Sequence, residues 1–165
     1  MKPLPLNPTE KIGHHIDALF GTGTYDILTA HHTTFDFSFE YSKRTGRIKN
    51  FSIKNRLVAT LRIDGGLAIT IFGAKEFLKS QQFKQNCVIP TEKVIPFVRE
   101  GRSLFCKHVE WCGSNVKAGS DVAIVDSVDN VVAVGRALVG YNYMKNYQKG
   151  VAVKVREGIK SPREI

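Results

Sequence analysis

The chain has 165 residues, 42% hydrophobic and 10% aromatic, with 24 Lys and Arg against 15 Asp and Glu for a net charge of +9. That is enough apolar material for a core, which excludes global disorder, but too short for a (β/α)₈ barrel of roughly 250 residues. No run reaches the ~18 apolar residues of a membrane span, and the start is charged and proline-rich with no apolar segment behind it, so a soluble, cytoplasmic protein is expected.

Residues 1–9 are punctuated by Pro3, Pro5 and Pro8 and read as extended. Ile12, Ile16, Leu19 and Phe20 fall at helical spacing, which predicts a helix over 10–20 with Thr9 as its cap and Gly21 as its stop. Gly21-Thr22-Gly23 reads as a turn. It is not a phosphate loop, because no helix with a Lys-Ser/Thr pair follows it. Phe35, Phe37, Phe39 and Tyr41 alternate with Asp36, Ser38 and Glu40, the pattern of a half-buried strand. Ser42 to Gly46 is a hairpin turn. Further strands are predicted over 47–53, 57–64 and 67–72, with Gly65-Gly66 as a tight turn. A short helix over 74–80 turns Phe77 and Leu78 inward. Residues 81–86 are polar and read as a linker.

A second unit begins at Cys87. A brief strand at 88–89 precedes a helix over 92–100, with Val94, Ile95 and Val98 inward and Gly101 as its stop. Strands are predicted over 105–109, 121–126, 131–139 and 151–156. The last turns Val151, Val153 and Val155 inward and Lys154 and Arg156 outward. Residues 142–148 form a short helix or turn. Many short strands with turn signals between them suggest a small closed or pseudo-closed barrel. The expected fold class is α+β: an N-terminal antiparallel sheet with helices over 1–85, then a C-terminal barrel over 86–165.

Charge gives the first functional direction. Residues 1–85 hold 12 basic and 7 acidic residues, and residues 86–165 hold 12 and 8, so the excess is not confined to a tail. Such a surface attracts polyanions, because each phosphate contact releases condensed counterions. Lys43, Arg44, Arg47 and Lys49 cluster on one hairpin, with Lys54 and Arg56 at the next turn. They can line a phosphate backbone, or they are a solvated turn. Arg99, Arg102 and Lys107 flank Gly101, whose lack of a side chain would let backbone N–H groups approach a phosphate. The aromatic stripe from Phe35 to Tyr41 could stack bases, but four rings facing one way are more often core. Phe105, Tyr141, Tyr143 and Tyr147 divide between stacking and packing.

Enzyme signatures are weak. Cys87, Cys106 and Cys112 form no Cys-x-x-Cys pair, and Cys106-Lys107-His108 with Cys112 falls short of a zinc ligand set, so buried thiols are preferred and neither metal nor cofactor is expected. His14-His15 and His31-His32 are adjacent pairs, and neighbours on a helix or strand do not converge on one metal. No G-x-S-x-G, HExxH or Walker loop is present.

Two stretches carry a family resemblance. Glu100-Gly101-Arg102-Ser103-Leu104-Phe105, then Val116 to Val125 with Gly119 and Asp121, Ala133 to Ala137 with Gly135, and Lys149-Gly150-Val151-Ala152-Val153-Lys154-Val155 resemble a PUA domain, an RNA-binding pseudo-barrel. Upstream, Thr45-Gly46-Arg47-Ile48, Leu57 to Arg62, Asp64 to Leu67 and Gly73-Ala74 are similar to the patch-forming domain that precedes the PUA domain in archaeal archaeosine tRNA-guanine transglycosylase. The paralogous archaeosine synthase shares this tail. The resemblance spans roughly residues 10–160 and lacks the family's catalytic barrel, paired aspartates and zinc site. It implies a non-catalytic tRNA-binding protein, the tRNA-recognition subunit of a split archaeosine-pathway enzyme, with tRNA and a catalytic chain as partners. The alternative is an autonomous PUA RNA-binding factor in ribosome or translation-related work. It implies Gly101, Arg102, Ser103, Phe105, Lys107, Lys154 and Arg156 as RNA contacts, to which charge adds Arg99, Lys43, Arg44, Arg47 and Lys49.

Overall fold

The computed structural model describes residues 7–161, so the proline-rich start ahead of Asn7 lies outside the described residues. The first helix, α1 (Pro8–Phe20), begins one residue after Asn7 rather than Thr9. The Asn7 side chain accepts from the Glu10 N–H at 2.8 Å, and Glu10 accepts from the Asn7 N–H, which satisfies two amides that an uncapped helix leaves orphaned. A second helix, α2 (Thr24–His31), follows directly where the sequence showed no periodic signal. It is held by tertiary contacts: the Asp17 carboxylate accepts from the Tyr25 N–H at 2.8 Å, and the Tyr25 ring lies where a Cβ on Gly13 would sit, at 2.6 Å.

The N-terminal sheet is an antiparallel meander of β1 (Phe37–Tyr41), β2 (Ile48–Ile53), β3 (Arg56–Leu61) and β4 (Leu67–Ile69), followed by α3 (Ile71–Phe77). Two strands are shorter than the alternation suggests. Thr33 and Asp36 cap a 3₁₀ turn over Thr34–Asp36, which turns Phe35 out of the stripe to 97% exposure. At the other end, β3 stops at Leu61 where the chain enters its turn, with the Arg62 N–H donating to the Gly66 carbonyl at 2.8 Å, and Ile63 within that turn is 98% exposed. Phe37 and Phe51 are core, with Phe39 packed against them.

Residues 81–86 are not a loose linker. They form a 3₁₀ helix that buries Phe83 and Asn86. Asn86 donates to the Phe20 carbonyl at 2.9 Å and accepts from Asn115 at 2.6 Å, tying α1 to the second sheet.

The second sheet has six strands: β5 (Cys87–Pro90), β6 (Leu104–Phe105), β7 (Val109–Cys112), β8 (Asp121–Val125), β9 (Val131–Ala137) and β10 (Val151–Gly158). Their spatial order is β6-β10-β9-β8-β5-β7, antiparallel except for β5 with β8. The two edge strands, β6 and β7, are joined only by the 3₁₀ turn Cys106–His108, so the sheet curls until its edges nearly meet. The single strand expected over 105–109 is therefore two strands with a corner between them. The helix expected over 92–100 is a 3₁₀ turn followed by α4 (Ile95–Arg99), and α5 (Tyr141–Met144) precedes β10.

Strands β8 and β9 are buried on both faces, which explains their nearly unbroken apolar sequence. Val122, Ile124, Val132 and Ala137 point into the barrel. Ala123, Val125, Val131 and Val134 point the other way, into one cluster with Phe20, Phe77 and Phe83. The two sheets thus share a continuous apolar seam.

A charged clamp closes the same seam. Asp121, 5% exposed, accepts from Arg62 Nη1 at 2.5 Å and from Arg156 Nη1 at 3.3 Å. Arg156 also donates to the Ile69 carbonyl of β4. Burial pushes the Asp121 carboxyl up, and Arg62 and then Arg156 pull against that shift. Replacing Asp121 by Ala would leave two guanidiniums facing each other in a poorly solvated seam. The expected loss is about 3–5 kcal/mol, read as a lower urea midpoint at constant slope. A loss below about 1 kcal/mol would show that the apolar seam alone holds the sheets.

Candidate nucleic-acid interface

Cross-strand pairing places Lys154 of β10 beside Arg136 of β9, and Arg136 beside Asp121 of β8, in one row on the outer face of the barrel. Lys154 is exposed. Arg136 is held by the Asp64 carboxylate at 3.1 Å and the Gly119 carbonyl at 3.1 Å. Asp64 in turn is held below the usual carboxylate range, first by the Gly66 N–H and then by Arg62. Arg156, expected to point outward to RNA, is instead turned into the clamp, because Asp121 and the Ile69 carbonyl supply the acceptors that its burial demands.

The Gly101 turn differs from expectation in one respect that changes its chemistry. Gly101 has φ +96°, the left-handed conformation that ends α4. Its N–H donates to the Val98 carbonyl at 3.0 Å, and the Arg102 N–H donates to the Phe97 carbonyl at 3.1 Å. These amides close the helix and are not presented to a phosphate. The turn acts through side chains. Arg102 is exposed and lies over the half-exposed Phe97 ring, 5.5 Å from its centre. Phe105, also half-exposed, sits on the edge strand opposite Val151, and Lys107 is exposed on the corner after it. The Ser103 hydroxyl accepts from the Val155 N–H at 3.4 Å and so pins the turn to β10. Arg99 is partly buried, with its Nε unpartnered and its carbonyl accepting from Lys160.

The hairpin cations lie on a separate surface. Lys43, Arg44, Arg47 and Lys49 are all exposed around the β1–β2 turn, and none forms an ion pair with a described residue. Helix α1 faces this hairpin across a groove that the sequence pattern did not reveal, with Lys11, His14 and His15 on its far side. The adjacent histidines both border it, and His15 Nε2 is 2.6 Å from the Gly65 carbonyl. Arg136 is a further cation that charge clustering does not single out. Its signal is of another kind, since it is the one charge in the apolar run of β9.

The three thiols are buried. Burial pushes Cys87 up to about 12 and Cys112 to about 11, which keeps both protonated at neutral pH. No group of three metal-ligating side chains occurs among the described residues. No helix among them is long and apolar enough to cross a membrane.

This barrel, with a glycine-ended helix packed on its last strand, defines the class. The PUA domain family matches residues 88–159, and the chain carries a PUA domain there. Its curated relatives are more particular. The chain is 33% identical to the tRNA-guanine(15) transglycosylase of Methanobrevibacter smithii over 92% of its own length and 22% of the relative's. It is 34% identical to the same enzyme of Methanothermobacter thermautotrophicus over 86% of its length and 21% of the relative's. The chain therefore spans about a fifth of the curated relatives it matches. Among solved structures, a hypothetical protein of Pyrococcus horikoshii has the same fold, with TM-score 0.65, 19% identity, and 95% of this chain and 93% of that one covered. A conserved PUA domain protein of Thermoplasma acidophilum aligns with TM-score 0.56 and 14% identity over 90% of this chain and 87% of that one.

Gly158 sits where a Cβ would overlap the Arg99 carbonyl oxygen, so the end of β10 and the Gly101 turn touch backbone to backbone. Gly158→Ala should separate them and cost about 1–3 kcal/mol. Hydrogen exchange at the Lys160 amide, which donates to that same carbonyl at 2.9 Å, should speed up. Unchanged protection would show that this close approach does not hold the turn.

Proposed function

We propose that this chain is a non-catalytic tRNA-binding protein, the tRNA-recognition part of an archaeosine-pathway transglycosylase whose chemistry resides on another chain. The carrying observation is the match itself: the similarity to tRNA-guanine(15) transglycosylases runs along nearly the whole of this chain and about a fifth of theirs, and includes the PUA domain. Arg102, Lys107 and Lys154, with Phe105 beside them, are the side chains offered to a phosphate backbone. Gly101 and Ser103 shape the turn that carries Arg102. Positioning is the mechanism. Cations neutralise phosphates and set register, while an A-form stem is read by shape and 2′-hydroxyl contacts. The hairpin cations Lys43, Arg44, Arg47 and Lys49 supply a second contact surface.

An autonomous PUA RNA-binding factor, acting in ribosome or translation-related work, is the second reading. It is favoured by the solved structures in which this same fold fills 93% and 87% of the chain. Purification of the native complex separates the two. A barrel-bearing chain that gains base-exchange activity on addition of this protein supports the first, and association with ribosomes supports the second.

The PUA surface has its own test. Arg102→Glu and Lys154→Glu should each weaken tRNA binding and flatten the log–log dependence on salt by about 0.9 for every phosphate no longer neutralised. A slope unchanged in both variants would overturn the assignment.

A further inference from the structure

The groove between α1 and the β1–β2 hairpin has a composition unlike a duplex-binding face. Its volume is about 950 Å³, within the range of ligand sites. The apolar lining is Tyr41, Ile48 and Leu61 of the sheet, with Ile63 standing out from the turn after β3. Tyr41 is 48% exposed and Ile63 almost wholly so, which leaves two large apolar side chains open to water along one groove. The rim carries cations on both sides, Lys11 on the helix, with the imidazoles of His14 and His15 beside it, and Arg44, Arg47 and Lys49 on the hairpin. Among the described residues no carboxylate lines it, whereas the cleft beside Lys154 contains Glu157.

We infer that this groove holds an unpaired stretch of RNA, with a base laid on Tyr41 and Ile63 and the flanking phosphates on the Lys11 and Arg47 rims. Resting on the RNA-binding reading above, this adds that the N-terminal unit takes single strand while the PUA domain takes stem. A duplex cannot use the apolar lining, because its bases are stacked on one another. A single strand can, since stacking on a protein ring is open to any base. An acidic segment of a protein would also meet the cations. It would gain little from a lining of four side chains, whereas Tyr41 and the two imidazoles are flat surfaces suited to bases. Arg62 belongs both to this groove and to the Asp121 clamp, which fixes the groove relative to the PUA domain.

The test uses the full chain with a fluorescent uridine oligonucleotide, an RNA hairpin whose strands are joined by a non-nucleotide linker so that every base is paired, and poly-glutamate as probes. Tyr41→Ala should weaken oligonucleotide binding by about five-fold or more while leaving the hairpin unaffected. Arg47→Glu should weaken oligonucleotide binding and reduce its salt dependence. Arg102→Glu should do the reverse, lowering hairpin affinity and sparing the oligonucleotide. If the oligonucleotide fails to bind while the hairpin binds, the groove assignment is overturned and the PUA reading stands. If neither RNA binds, both fall. Oligonucleotide affinity unchanged in Tyr41→Ala and Arg47→Glu overturns the assignment, as does poly-glutamate binding more tightly than RNA and losing affinity in the same variants.

Discussion

Asp121 is a carboxylate with almost no access to water, and its position is tolerable only because two guanidiniums reach it, one on each oxygen. One comes from the turn after β3 and the other from β10, so the demand of a single buried charge fixes how the two sheets sit on each other. Much of the surrounding geometry follows. Arg62 reaches across from the turn after β3. Asp64 then bridges back to Arg136. Arg156, which would otherwise stand beside Lys154 on an open face, is withdrawn into the seam.

That withdrawal sorts the cations by what they can do. Arg62, Arg136 and Arg156 have carboxylate partners and hold the molecule together. Lys11, Arg44, Arg47 and Lys49 have no ion-pair partner among the described residues and remain available to a polyanion. A net charge of +9 reports only the sum of the two groups. The unpaired cations gather on surfaces that also carry exposed rings, Phe97 and Phe105 on the barrel and Tyr41 on the sheet.

Where the sequence was informative, one periodicity governed one face. The meander from β1 to β4, the apolar β8 and the helix-ending Gly101 were legible for that reason. The nearly unbroken apolar run Val122 to Val125 read as a strand, but the sheet that covers its outer face was not legible. Features set by distant partners were not legible. Helix α2 depends on Asp17 and on the space at Gly13. Phe35 is expelled by a local cap. Residues 81–86 look polar, yet Phe83 and Asn86 are drawn inward by contacts with Phe20 and Asn115. Arg156 follows the outward phase of its strand and still ends up bound, because outward on β10 means toward β4. The candidate site was partly visible as clusters of Lys and Arg. Its groove was not, since α1 and the hairpin that form its walls are some thirty residues apart.

The apolar seam bears on how this architecture is inherited. Ala123, Val125, Val131 and Val134 form an outer wall of the barrel that is dry only because Phe77 and Phe83 lie on it. A gene break placed between the sheets would hand the downstream product a greasy flank and a carboxylate stripped of one of its counterions. The two sheets are therefore one cassette, each half of which is incomplete without the other.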